Sequence, residues 1–342
     1  MDRRRRLWLA AGLAVLLAVV VVLAAIVAGS GPSPSSNPAS ASAGSKSSTP
    51  THTPPPAAAP APPTIPELPA SDMNILVIGS DSRGNAKEQN NQTVTSGQPK
   101  DQRSDCLMLI HVPADRKKIY GISIMRDNWV NIPGFGASKV NAALGLGGIP
   151  LVVKTVESLL GTHVDHTVML DFNGFKTLTD GLGGIDVNVT LPFTASFETH
   201  HVFVAGVNHL DGQAALEFVR ERYSFVDGDF QRVRNQQTFL RALLVKLSGA
   251  LQTPAGVLSL VNFAVNDLIV DQGFDPASVA MLAYALRTVD PGASVFFTLP
   301  TAGTGTSPDG QSIVVPDYAG IGQVAAALRD GTLPQYAAAH GY

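Results

Sequence analysis

A single cysteine, Cys106, is present in 342 residues. It excludes an intramolecular disulfide and a Cys-rich metal site. Within the apolar run CLMLIHV it reads as a small core residue. The eight histidines are scattered, none spaced as a metal-binding pair, which argues against zinc chemistry. Charge is also scarce: 15% of residues are charged and the formal net charge is -3. Non-specific nucleic-acid binding needs a broad basic field, and none is available. Any affinity for anions must come from a local cluster.

Apolar residues are abundant at 45%, enough for a sizeable core, and one run of them stands apart. After MDRRRR, Leu7 to Gly29 carries no charge. Such a run crosses about 30 Å of hydrocarbon as a helix. Arg3 to Arg6 would stay on the cytoplasmic side, leaving residues 1–6 inside and the rest of the chain outside. A cleaved signal peptide is the alternative, but its apolar region is usually about 7–15 residues, shorter than this run. Residues 30–72 hold twelve of the 24 prolines among Ser, Ala and Thr. This stretch cannot bury a core and reads as an extended spacer.

Alternating strand and helix patterns begin at Met73 and imply a single domain over 73–342. NILVIGSDS reads as a buried strand, 85–102 as a loop, and Cys106–Val112 and 117–127 as two strands of a hairpin. IPLVVKTVESLLG, closed by Gly161, reads as a helix, and so do GFKTLTDGLGG, LDGQAALEFVR and the long DFQRVRNQQTFLRALLVKL, with Asp229 as its N-cap. Further strands are expected at HTVMLDF, IDVNVT, 294–300 and, at an edge, 311–317. Further helices are expected at 255–269, 276–288 and 318–329. The order predicts an α/β/α sandwich with a central mixed β-sheet, preceded by one N-terminal transmembrane helix.

The charges that are present gather. Arg220, Arg222, Arg232 and Arg234 fall within fifteen residues that contain no lysine. Extended backbone over 220–222 would put Arg220 and Arg222 on one side and Glu221 on the other. Arg232 and Gln236 share a helix face, and Gln236 and Gln237 interrupt the apolar stripe. A planar guanidinium grips phosphate through two bonds, so converging arginines suit a pyrophosphate. Ordinary surface salt bridges with Glu221, Asp227 and Asp229 are the alternative. Asp and Arg also recur at three strand ends: Asp81 with Arg83, Arg103 with Asp105, and Arg126 with Asp127. Strand-end loops are where α/β folds keep ligands. Carboxylates beside phosphate-binding arginines suit Mg2+, with Asp81 and Asp105 as ligands. Each aspartate alone also fits a loop cap or ion pair.

GSDSR, RSD, SIMRD, KVNAA, DHTVMLDFNGF, GGIDVNV, HLDGQAALEFVRER and DFQRVRNQQ occur in this order. Over the motif core 73–250 the chain resembles the LytR–CpsA–Psr family of membrane-anchored cell-wall enzymes. The resemblance implies transfer of a glycopolymer, as a sugar phosphate, from a polyprenyl-pyrophosphate carrier to peptidoglycan, with magnesium. Asp81 and Asp105 match the metal-associated aspartates. Arg103, Arg126, Arg220, Arg222 and Arg232 match the phosphate-binding arginines, and Gln236 the following glutamine. Asn235 and Met125 depart from the usual pattern, and neither carries a role. The resemblance also implies an apolar tunnel for the prenyl chain. Asp127 and Asp81 are both candidates for the base. A polyprenyl-pyrophosphate pyrophosphatase and a non-catalytic carrier-binding regulator remain as alternatives.

Overall fold

The computed structural model describes residues 70–81, 86–251 and 285–342, together with 263, 268–271, 278 and 281–282. The expected anchor and spacer lie outside these residues, apart from the last three positions of the spacer. Among the described residues the elements run β1 (Met73–Ser80), α1 (Ala86–Ser96), β2 (Ser104–Val112), β3 (Tyr120–Ser123), β4 (Trp129–Ile132), β5 (Gly136–Lys139), α2 (Ala142–Leu160), β6 (His166–Leu170), α3 (Phe172–Gly181), β7 (Ile185–Val189), β8 (Phe193–Thr194), β9 (Val202–Phe203), β10 (Gly206–Leu210), α4 (Gly212–Arg220), α5 (Asp229–Ala250), β11 (Ile269–Val270), β12 (Val295–Thr298), β13 (Thr301–Thr306), β14 (Ser312–Pro316), α6 (Tyr318–Arg329) and α7 (Leu333–Ala339).

Six strands form a mixed sheet in the order β11-β6-β1-β2-β3-β12. β1 runs parallel to β6 and β3 to β12, while β2 is antiparallel to both β1 and β3. Side chains of a strand alternate between faces, and both faces here are apolar. Ile75, Val77, Met108 and Ile110 point to a core shared with Phe218 of α4 and Phe239, Leu243 and Leu247 of α5. Leu76, Ile78, Leu107 and Leu109 point the other way, onto Val152 and Val156 of α2 and Val324 of α6. Helices therefore cover both faces, as the strand–helix alternation predicts. α2 is long and apolar enough to cross a membrane, yet it packs into this second core.

The polar stretch 85–102 departs from the expected loop: its first part is α1. Its polarity hides a tertiary role. Asn90 and Thr93 are buried against α2, and the Asn90 Oδ1 accepts a hydrogen bond from the Ile149 N–H at 2.9 Å. That N–H is free because α2 breaks at Gly147 and Gly148 and restarts at Ile149 with Pro150 in its first turn. Of the expected helices near 255–269 and 276–288, most residues lie outside the described set; Ile269 belongs to β11 instead, and residues 281–282 and 285–286 are helical. β13, rich in Thr and Gly, pairs with β14 and carried no strand signal of its own.

Gly148 sits at φ 66°, ψ -166°, a region only glycine adopts readily. A Cβ there would lie 2.7 Å from the Asn90 Oδ1. Gly148→Ala is expected to lower stability by about 1–3 kcal/mol, read as a shift of the urea midpoint at constant slope.

Candidate active site

The topology brings the Asp–Arg pairs to one edge of the sheet. β1 and β3 end there, and β2, running the other way between them, begins there. Gly79 pairs with Cys106 but Ser80 with Ser104, so Asp105 is the extra residue of a β-bulge. A bulge re-aims the side chain at its centre. The Asp105 Oδ1 meets the Arg126 Nη1, from the loop after β3, at 2.5 Å. Asp81, just past β1, accepts the Arg103 N–H at 2.9 Å.

α4 and α5 bring the remaining arginines. α4 ends at Arg220, and the next residue, Glu221, turns extended and inward. Its carboxylate accepts the N–H groups of Ser196, Arg222, Tyr223 and Ser224. Glu217 accepts from Thr199, His201 and Gln213. Burial pushes both carboxyls up, but these hydrogen bonds outweigh it and hold them below the usual carboxylate range. The two glutamates thereby clasp the loop over 195–201, which carries Glu198 to within 2.6 Å of the Arg220 Nη1.

Asp229 is the residue that reasoning from sequence misread. Gly228 occupies the N-cap, and the Asp229 side chain makes no cap bond. Its carboxylate instead lies 2.8 Å from the Arg232 Nη2 and 4.0 Å from both the Arg126 Nε and the Arg222 Nη1. One carboxylate thus serves three guanidiniums. An acidic residue one turn before Arg232, at helical spacing, was the available signal. The set is incompletely satisfied: the Asp229 Oδ1 and the Nε atoms of Arg126 and Arg232 are buried without a hydrogen-bond partner. Burial works against the Arg126 charge, and Asp105, Asp127 and Asp229 more than restore it. At Arg232 burial wins, with Arg126 and Arg222 adding repulsion against the pull of Asp229, and the guanidinium falls below its usual value. It remains a cation. A bound anion would relieve this repulsion.

Arg126, Arg220, Arg222, Arg232 and Gln236 line one cavity of ≈ 430 Å³. Phe197 and Tyr223 stand at its rim, exposed and edge-to-face at 5.3 Å. A narrower apolar cleft of ≈ 80 Å³, walled by Val77, Met108, Leu170, Phe175, Leu216 and Phe239, adjoins it. The two share Asp105, Val219, Arg220 and Gln236. Cys106 lines this cleft and is partly exposed as a residue while its thiol is desolvated, so it is not the plain core residue expected. Gln236 donates to the Val219 carbonyl at 3.2 Å, whereas Gln237 is buried on Ser123 and Thr298. Arg103 lies elsewhere. It lines a second polar cavity of ≈ 450 Å³ with Asp127, Arg126 and Arg222. Arg234 points away and pairs with Asp227 at the surface. Asn235 is buried and bonds to the Phe218 carbonyl, and Met125 packs on Val233 and Val314, both structural roles.

No group of three or more potential metal ligands occurs among the described residues. Magnesium asks less of a protein, one or two carboxylates plus phosphate and water oxygens. Burial pushes the Asp81 carboxyl up; the Arg103 N–H opposes this, and repulsion from Asp105 adds to it. Asp81 and Asp105 are close enough to repel one another, and of the two only Asp105 lines the arginine cavity.

Fold and site together define a mixed α/β protein with an arginine-lined anion cavity opening onto an apolar cleft. A family model described as the LytR_cpsA_psr family matches residues 39–304, and the chain belongs to that family. It is 34% identical over 232 residues to a probable cell wall biosynthesis protein LcpB of Corynebacterium glutamicum, covering 67% of this chain and 54% of that one. It is 35% identical over 207 residues to a polyisoprenyl-teichoic acid–peptidoglycan teichoic acid transferase TagU of Bacillus cereus, covering 59% of this chain and 62% of the relative. The chain therefore spans less than two thirds of the length of either. Among solved structures, B. subtilis TagV aligns with a TM-score of 0.65 at 25% identity, over 78% of this chain and 98% of that one.

Because the fold raises the Asp81 carboxyl, the folded state binds its proton more tightly than the unfolded state does. Stability is then lost as pH rises from the ordinary aspartate range through the raised value. Asp81→Asn removes that loss. Without divalent cation, the melting temperature of the variant is expected to exceed that of the wild type near neutral pH and to converge with it at low pH.

Proposed function

We propose that this chain transfers a glycopolymer, as a sugar phosphate, from a polyprenyl-pyrophosphate carrier to peptidoglycan at the outer face of the membrane. The observation that carries this reading is the shared wall between the arginine cavity and the apolar cleft. A molecule with a doubly charged head joined to a hydrocarbon chain needs both environments side by side. The name of the Bacillus relative supports the substrate class, and the uncharged run Leu7–Gly29 behind four arginines supports the anchor.

In this reading Arg126, Arg220, Arg222 and Arg232 grip the pyrophosphate and Gln236 sits where headgroup and chain meet. Phosphoryl transfer depends mainly on positioning and on charge stabilisation as the leaving phosphate develops. Fixed guanidiniums already desolvated by the fold need little reorganisation at that moment. Asp81 and Asp105 would hold a magnesium ion, which supplies further neutralisation of the leaving phosphate.

Arg222 is part-exposed and removable at small cost to the fold. Arg222→Ala is expected to lower kcat/KM for transfer by about 10²–10³-fold, with an unchanged melting temperature. Product analysis on the wild type separates the chemistries: a phosphodiester linked to the wall marks transfer, and free phosphorylated glycan marks hydrolysis. Neither product, with carrier still bound, marks a non-catalytic binder.

Burial pushes the Cys106 thiol up to about 11, so it is a poor nucleophile at neutral pH. Its alkylation by a small maleimide is expected to be slow, and slower still with farnesyl pyrophosphate present. Equal rates with and without that lipid would place the prenyl chain elsewhere.

A further inference from the structure

The second polar cavity lies beside the first and shares Arg126 and Arg222 with it. It has no lining residue in common with the apolar cleft. Arg103, Asp127, Lys139, Asn141, Gln311 and Ser312 line it. Lys139 and Asn141 belong to the KVNAA motif, to which no role has yet fallen. The motif is bonded into the site: the Asn141 N–H donates to the Arg126 carbonyl at 3.2 Å, and its own carbonyl accepts the Ser104 N–H at 3.4 Å. The β13–β14 hairpin is tied in as well, through the Val314 N–H to the Asp127 carbonyl at 2.9 Å.

We propose that this cavity is the acceptor subsite, where a peptidoglycan strand presents its hydroxyl. The proposal rests on the carrier reading above and extends it to the second substrate. Its lining supplies four cations, Arg103, Arg126, Lys139 and Arg222, against the single carboxylate of Asp127, with neutral donors and acceptors from Ser138, Asn141, Gln311 and Ser312. That balance fits a hydroxyl-rich glycan carrying carboxylates, and the near absence of apolar side chains excludes a second lipid. In-line displacement also requires the attacking oxygen to approach away from the leaving group. A cavity that touches the phosphate-binding guanidiniums but not the lipid cleft offers that approach.

The step balances as follows. The acceptor hydroxyl oxygen bonds to the phosphorus bearing the glycopolymer. The bridging P–O bond breaks, and polyprenyl phosphate leaves with the electron pair. The hydroxyl proton passes to Asp127, whose Oδ1 lies 3.3 Å from the Lys139 Nζ and whose Oδ2 lies 3.7 Å from the Arg126 Nε. In a loose transition state the proton moves late, so a carboxylate held between two cations suffices to orient the hydroxyl and then to accept its proton. Asp81 lines none of the three cavities, so the structure assigns the proton to Asp127 over Asp81.

Gln311 and Ser312 are exposed at the hairpin turn and can be changed without disturbing the core. With the full-length protein, Gln311→Ala is expected to raise KM for a soluble, uncrosslinked peptidoglycan strand by about 3–10-fold, and Ser312→Trp to block that strand altogether. Affinity for farnesyl pyrophosphate should be unchanged in both. Asp127→Asn should lower kcat by a larger factor than it changes the KM for either substrate. Unchanged acceptor KM in both hairpin variants, with carrier binding intact, overturns the acceptor subsite. Unchanged kcat in Asp127→Asn overturns its role as base. Failure of the wild type to bind farnesyl pyrophosphate instead sinks the carrier reading, and the subsite with it.

Discussion

Three guanidiniums share the Asp229 carboxylate, and the site depends on that sharing. Asp229 is near Arg126, Arg222 and Arg232, while Asp105 is pledged to Arg126. Were each arginine fully paired, the cluster would be a closed ion-pair network with nothing to offer a ligand. Instead the Nε atoms of Arg126 and Arg232 are buried without hydrogen bonds, so the cluster keeps donors that its own carboxylates do not use. Desolvated charges interact more strongly than they do in water, so the same burial that disfavours the Arg232 charge would strengthen its pull on an anion.

That sharing is set by the backbone. A sheet with β2 reversed between β1 and β3 collects the end of one strand, the start of the next and the end of a third at a single edge. The bulge at Asp105 then turns a carboxylate out of the ladder toward Arg126. Across the cavity, two buried glutamates organise the loop that closes over Arg220. Glu217 and Glu221 accept hydrogen bonds almost entirely from backbone and side-chain donors of their own surroundings, so they steady the wall without discharging the arginines. Structural and ligand-facing acids are thereby kept apart within a few residues of one another.

Most of this was legible where period and charge coincide. The β1–β3 runs, the kinked helix before Gly161 and the long helix through Arg232 follow from apolar spacing and cap signals. α1 was not legible, because its polar residues are explained only by α2, whose break at Gly147 and Gly148 leaves an N–H for Asn90 to receive. Asp229 was misread for a related reason. A carboxylate at a helix start satisfies the local rule for capping, whereas its partners are Arg232 one turn on, Arg222 in the preceding loop and Arg126 from the β3 loop, more than a hundred residues earlier. Arg103 and Arg234 show the limit of clustering as a signal: the first lies in a neighbouring cavity, the second on the surface. Pattern gives the element a residue occupies; which way its charge faces is decided by what packs against that element.

Arg126 and Arg222 belong to two cavities at once, and a common wall makes their occupancies thermodynamically linked. Filling the first with negative charge changes the field felt in the second, and any preference of one site for the occupied state of the other must be returned in equal measure. Two substrates that meet across such a partition do not bind independently.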